Sequence, residues 1–274
     1  MDKRLANNIA LGVLWVAAGF TVLILFALIA YVFVNGISAI SLRFIFTWPQ
    51  GVDFKGGIWP TIVSSIYVTT LAMLIVTPVA ILAAVYLAEY AVQGRLVQSI
   101  RFAADSLASV PSIVMGLFGL ALFVEAAGLG FSMLSAALAL SFLMLPIVMR
   151  TTEEAIRSVP QFIRWGSYGL GATRWQTVSK IVLPAATPRI VTGIVLATGR
   201  AVGETAVVIY TMGQAINLPI SPFDSGRPMT VHVYLLATEG INLNAAYGTA
   251  LLLMVMILVF NLGARWVSRR YRKV

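Results

Sequence analysis

Six runs of about twenty apolar residues leave this chain little choice but to cross a membrane repeatedly as helices. They lie at Leu11–Val34, Thr61–Tyr86, Leu107–Leu129, Phe131–Met149, Ile190–Met212 and Ala246–Val267. A helix needs roughly 20 residues to cross the hydrocarbon core. In lipid every backbone amide must find a partner within the protein, so only helices and closed barrels can span. No strand-like alternation of apolar and polar residues is visible. An all-α integral membrane bundle is therefore expected, with 1–274 as a single transmembrane domain. The first run is too long for a signal-peptide core and reads as a retained helix. The third and fourth runs meet around Gly128-Leu129-Gly130, which suits a tight hairpin.

Charge sets the orientation. Of the 19 Lys and Arg, Arg43, Lys55 and Arg227 fall in segments on one side, Arg200 falls within a span, and the remaining 15 lie on the other side. Cytoplasmic segments carry the excess of basic residues, so both termini are expected inside. The net charge of +9 is thus explained by membrane orientation and gives no ground for a nucleic-acid partner. The basic tail Arg265–Lys273 reads as an anchor at an anionic leaflet. With no Cys, thiolate metal sites and disulfides are excluded. The lone His232, placed in an outer loop, has no ligand companions at metal-binding spacing, so no metal and no cofactor are expected.

Two regions carry the functional signals. The first is the fifth run, where Arg200 and Glu204 interrupt an apolar sequence. Each charge costs about 2.5–3.5 kcal/mol at mid-membrane on insertion scales, so such residues face protein or water. At i, i+4 they share one helical face and can pair. Gly193, Ala197, Arg200, Glu204 and Thr211 would form one small, polar stripe suited to a pore lining, with Gly199 and Gly203 beside it allowing a close helix neighbour. Arg200 could present its guanidinium to a crossing anion while Glu204 holds it in place; alternatively the pair only fixes helix packing.

The second region is the stretch 150–189, expected to be a cytoplasmic loop. Thr151-Thr152-Glu153-Glu154 can start a helix. A second helical stretch runs from Gln161 to Tyr168 after Pro160. Gly169-Leu170-Gly171 offers a break, and Thr173–Leu183 would form an amphipathic helix closed by Pro184, with Trp175, Val178, Ile181 and Val182 toward one side. Such an elbow suits docking into a groove of another protein. Pro78 and Pro111 are candidate kinks. The outer loops Asn35–Pro60 and Gly213–Ala245 are long enough to hold short structure. There is no phosphate-cradling G-x-x-x-x-G-K-[ST] loop and no catalytic constellation, so the chain is expected to be no enzyme and to draw energy from a partner or an ion gradient.

The segment Gly171 to Pro184, with Ile181-Val182-Leu183-Pro184 ten residues after the glycine, resembles the second half of the EAA loop of ABC importer permeases; Trp165-Gly166-Ser167 stands where that family usually has Glu-Ala-Ala. Arg200-Ala201-Val202-Gly203-Glu204-Thr205-Ala206 resembles the corresponding segment of phosphate-specific ABC permeases, the A-type of the two subunits in particular. Gly56-Gly57-Ile58-Trp59-Pro60 and Val110 to Phe118 agree with that. The resemblance implies a six-helix type I importer permease in a prokaryotic cell membrane. It also implies a second homologous permease, two cytoplasmic ATPase subunits and an extracytoplasmic phosphate-binding protein as partners. The substrate path would use Arg200, Glu204, Thr205 and Thr211. The ATPase contact would use Tyr168, Gly169, Gly171, Ala172, Thr173, Arg174 and Trp175. Another oxyanion of the sulfate or molybdate type, or an ion-coupled secondary transporter with Glu204 as proton carrier, are the alternatives.

Overall fold

Apolar runs that must satisfy their own amides become helices, and the computed structural model, which describes residues 3–51 and 54–271, is built almost wholly of them. The first, α1 (Lys3–Ile37), lies along the last helix and leaves its apolar side chains outward, with Trp15 73% and Phe26 72% exposed. After a short α2 (Leu42–Phe46), capped by the Ser41 hydroxyl, strands β1 (Pro49–Gln50) and β2 (Lys55–Gly56) pair antiparallel, Pro49 opposite Gly56. The segment between α1 and α3 thus holds structure of its own.

The core is the pairing of α3 (Trp59–Val85) with a later helix, α6 (Met133–Arg157). Along α3, Val68, Ala72, Val76, Ala80 and Ala84 recur every four residues and are all buried. Small side chains at that spacing let two backbones approach closely where lipid offers no hydrophobic drive. The Ser141 hydroxyl of α6 crosses the gap to the Ala72 carbonyl at 3.1 Å. Pro78 lies inside α3, which continues without a break. Beyond Val85 the helix ends in a π turn, Tyr86–Tyr90.

The third span differs from expectation. Instead of one helix over 107–129, α4 (Arg95–Ser109) and α5 (Ser112–Gly119, extended by a π turn Leu120–Ala126) meet at 101°. Pro111 is the cause: it disfavours helix at Val110 and carries no amide, so the chain turns there. α4 is amphipathic, with Arg101 bonded to Glu153 and Arg150 paired to Asp105. Gly128 and Gly130, both at positive φ, then make the tight hairpin into α6 (Met133–Arg157). This helix runs straight through Thr151–Glu154, so those residues start no helix. The Thr151 hydroxyl instead bonds back to the Ile147 carbonyl, and Glu153 takes Arg101 and Arg157.

After α7 (Gln161–Gly169), helix resumes at α8 (Arg174–Thr177), passes a π turn (Val178–Val182) and continues as α9 (Leu183–Val202). Pro184 therefore does not close the helix. The π turn already displaces the hydrogen-bond ladder, with the Leu183 amide bonding to the Val178 carbonyl, so a proline without an amide is tolerated next to it. The apolar stretch 174–202 is about 43 Å long at 1.5 Å per residue, longer than a bilayer core needs, and shortens the expected loop to residues 158–173. The short α10 (Ala206–Thr211) follows. The chain then folds back through residues 213–228, whose carbonyls at Pro222 and Asp224 take the first amides of α6, groups that no helix can satisfy itself. α11 (Met229–Thr238) packs beside α3, and α12 (Leu243–Tyr271) completes the bundle. Among the described residues, five helices are long and apolar enough to cross a membrane, six with the bent pair counted as one span. The side chains of the basic tail Arg265–Lys273 lie outside the described residues.

In the returning segment the Asp224 carboxylate accepts the Ile220 and Ser221 amides at 2.8 and 2.7 Å, which holds its pKa below the usual 3.8. A depressed carboxylate pKa gives order that is present above the unfolded value and lost as pH falls through the folded one. Amide exchange at Ile220 and Ser221 is expected to be slow at pH 6 and to accelerate, relative to neighbouring amides, below pH 4. Asp224→Ala should make it fast at both values.

Candidate functional site

The two regions singled out by the sequence lie at opposite ends of α9. At its C-terminal end the fifth span breaks. Arg200 occupies the last turn of α9, Gly203 caps it, Glu204 and Thr205 lie outside helix, and α10 restarts at Ala206. The stripe expected on a continuous helix is therefore divided. Gly193 and Ala197 are buried, Gly193 directly against Thr151 of α6. Arg200 is exposed at the edge of that packed face and Glu204 is half-buried. The ion pairs among the described residues do not include one between Arg200 and Glu204, because the break removes the i, i+4 geometry. Thr205 is half-buried at the break, whereas Thr211 is fully buried, its hydroxyl given to the Val207 carbonyl and its methyl against Gly119. Gly199 meets the Asn261 amide of α12, while a Cβ on Gly203 would meet, among the described residues, only the Arg200 and Gly199 carbonyls of its own turn.

The break is held from two sides. The Thr230 hydroxyl of α11 donates to the Glu204 carbonyl at 3.1 Å. From the other side, Gly116 and Gly119 of α5 bring that helix against α10: a Cβ on Gly116 would fall 2.7 Å from the Ala206 carbonyl oxygen. Beside α9 an open cleft of about 480 Å³ is lined by Thr69, Thr70, Thr77 and Thr198 among apolar residues of α3 and α12. Four hydroxyls in an apolar wall are a feature the sequence reading missed. Three of them recur at one- and seven-residue spacing in the second run, which was the available signal.

At the other end of the stretch 174–202 lies the elbow. Gly171 adopts φ +83°, a conformation that favours glycine, and reverses the chain between α7 and α8. The Thr173 hydroxyl and the Gln176 side chain form a reciprocal cap on α8, and Ser167 bonds Thr177 at 2.8 Å across the two arms. Of Tyr168, Gly169, Gly171, Ala172, Thr173, Arg174 and Trp175, all but the half-buried Ala172 are exposed. Trp175, at 61%, does not join the buried Val178 and Val182. Exposed aromatic and apolar side chains gather there, Phe162, Trp165 and Leu170 with them, and the last is 91% exposed. Behind this surface a cavity of about 500 Å³ is lined by Arg157, Arg164, Arg174, Glu89, Gln161 and Tyr168. Glu89 and Arg164, bonded at 2.6 Å, escaped the sequence reading because they lie 75 residues apart.

Residues 77–273 match the family described as the binding-protein-dependent transport system inner membrane component. The chain belongs to this family. Among its relatives, the probable ABC transporter permease protein YqgI of Bacillus subtilis is 35% identical over 100% of this chain and 99% of its own length. The phosphate transport system permease protein PstA 1 of Mycobacterium tuberculosis is 36% identical over 81% of this chain and 74% of its own. Of solved structures, a bacterial alginate ABC transporter in complex with an alginate pentasaccharide-bound periplasmic protein superimposes with a TM-score of 0.71 over 98% of both chains, at 18% identity. That likeness concerns the fold, which is the type I ABC importer permease bundle. This family member is accordingly a multi-pass membrane component of a transport system.

Proposed function

We propose that the chain, as a single transmembrane domain, is the permease subunit of an ATP-driven importer of inorganic phosphate. It would form half of the translocation pathway beside a second homologous permease, in a prokaryotic cell membrane with both termini cytoplasmic. Two ATPase subunits would supply the hydrolysis for which this chain has no motif, seated on the elbow at Tyr168–Trp175. An extracytoplasmic phosphate-binding protein would deliver substrate to the outer loops. Relatives named as phosphate permeases support the substrate class.

The observation that carries the reading is Arg200. Among the described residues its guanidinium has neither an ion pair nor a side-chain hydrogen bond, and it lies exposed in the last turn of the membrane-crossing stretch Arg174–Val202, just before the break. An intramembrane cation left open by its own chain faces another subunit, water or substrate. Its planar fork matches phosphate oxygens. Glu204 and Thr205, in the same break, would line the path; Thr211 packs the span from behind. The test is phosphate uptake by cells expressing the chain with its partners, wild type against Arg200→Ala, with assembly checked in parallel. A charge-assisted contact worth about 1.5–3 kcal/mol predicts a loss of at least ~10-fold with the complex intact. Normal uptake by an assembled variant would overturn the role.

A further inference from the structure

We propose that Glu89 is a positioning residue that ties the cytoplasmic end of the second span to both arms of the elbow, so that a displacement of the elbow is passed directly to that span. The proposal rests on the elbow being the ATPase contact. Its basis is the geometry around one buried carboxylate. The π turn Tyr86–Tyr90, closed by the Ala91 amide on the Tyr86 carbonyl at 2.8 Å, turns Glu89 into the protein, where it is 7% exposed. Arg164 of α7, 6% exposed, places Nε and one terminal nitrogen on the same Glu89 oxygen, at 3.1 and 2.6 Å. Its other donors take the Val159 and Ile156 carbonyls at 2.6 and 2.9 Å. One guanidinium thereby joins the end of α3, the end of α6 and the start of α7. The second arm reaches the same residue: Arg174, in the first turn of α8, donates to the Glu89 backbone carbonyl and lies 5.1 Å from the centre of the Tyr90 ring.

Stability does not account for this arrangement. Replacing a buried ion pair by apolar residues of similar volume is often neutral or stabilising, because desolvation offsets the attraction. What a charged, directional pair provides that an apolar contact lacks is a fixed register between elements. Here it fixes the three elements that meet below the membrane. Both bonds to the carboxylate are made by Arg164 on one oxygen, and the carbonyls that share this guanidinium belong to Ile156 and Val159 and not to the break at 203–205, so the pair acts on coupling and not on the anion path.

The experiment uses the whole complex in proteoliposomes with the binding protein, and reads two quantities: the stimulation of ATP hydrolysis by phosphate-loaded binding protein, and phosphate transported per ATP. Glu89→Gln keeps side-chain volume and an acceptor for Arg164 while removing the charge. Glu89→Leu combined with Arg164→Met removes both charges. The single variant is expected to melt at a lower temperature and to lose at least fivefold in phosphate per ATP. The double variant should regain thermal stability and still transport at least fivefold less per ATP. Normal phosphate per ATP in either variant overturns the proposal, since a purely structural pair would lose its effect once stability returned. Because the chain has no native cysteine, Gly171→Cys gives one crosslinking position toward the ATPase. A wild-type background without that crosslink would sink the elbow as the contact. A retained crosslink with full coupling in the double variant would sink the tie alone.

Discussion

Gly116→Val is expected to destabilise the bundle by about 3 kcal/mol or more and to abolish uptake at any level of expression. The position lies in a helix, where replacing glycine normally gains up to about 1 kcal/mol from propensity. Space decides the sign. A Cβ there would come 2.7 Å from the Ala206 carbonyl oxygen, 3.0 Å from the Tyr210 ring and 3.2 Å from the Val207 Cα. Two of these three are backbone and cannot swing aside, so α5 must part from α10. Because α10 begins directly after the break that carries Glu204 and Thr205, the displacement reaches the proposed path as well as the core. Gly116→Ala should already be a net loss, whereas Gly166→Ala in α7, where nothing lies within 4 Å, should gain a few tenths to 1 kcal/mol. Thermal melts of the purified proteins in one detergent compare the three. A Gly116→Ala protein as stable as Gly166→Ala would show that α5 and α10 do not approach as described.

The number of spans was legible because hydrocarbon thickness imposes one length on every crossing segment, and six runs met it. Where each span begins and ends was less so, for reasons visible at three prolines. Pro111 bends the chain because Val110 before it leaves the helical region, so the expected span over 107–129 gives up its first residues to α4, which meets α5 at 101°. Pro184 was expected to stop a helix and does not, because the neighbouring π turn supplies the missing register. Pro78 interrupts nothing. Proline identity alone does not distinguish these outcomes; the hydrogen bonds around each do.

The site was legible to the extent that its residues violate the membrane's rules. Arg200 stands out in an apolar run through its insertion cost, and Gly171 through a chain reversal that favours glycine. The pairing of Arg200 with Glu204 was inferred from the period of an unbroken helix, and the break at Gly203 removes that premise. The bond between Glu89 and Arg164 joins the end of one span to a loop 75 residues later. Neither residue breaks a local rule, since each lies where a cytoplasmic charge is expected. Only the fold shows that both are buried.

His232 violates a rule that becomes visible only in three dimensions, and it gives the bundle an acid-sensitive point. Expected in an outer loop, it lies instead within α11 with no exposed surface, its ring edge-on to Phe54, and among the described residues neither ring nitrogen has a hydrogen-bond partner. Burial first, and the neighbouring Arg227 second, lower its pKa from 6.5 to about 4. Arg227 is itself held in place by the Gln214 carbonyl at 2.9 Å and the Phe54 ring, so it cannot easily retreat. The unfolded chain therefore binds this proton more readily than the folded one. The neutral histidine's contribution is complete above pH 6.5 and is lost as pH falls toward 4, on the order of 3 kcal/mol across that window. Wild-type protein should accordingly lose stability between pH 7 and pH 4.5 by more than His232→Leu does. The leucine variant should match or exceed wild type even at pH 7, because it removes two unpartnered polar atoms from the interior. The measurement is the difference between the two denaturation curves at each pH, which cancels Asp224 and the other carboxylates common to both. Parallel curves from pH 7 to pH 4.5 would mean that the histidine is solvated or paired in the working complex and that α11 does not pack against α3 as tightly as it does here.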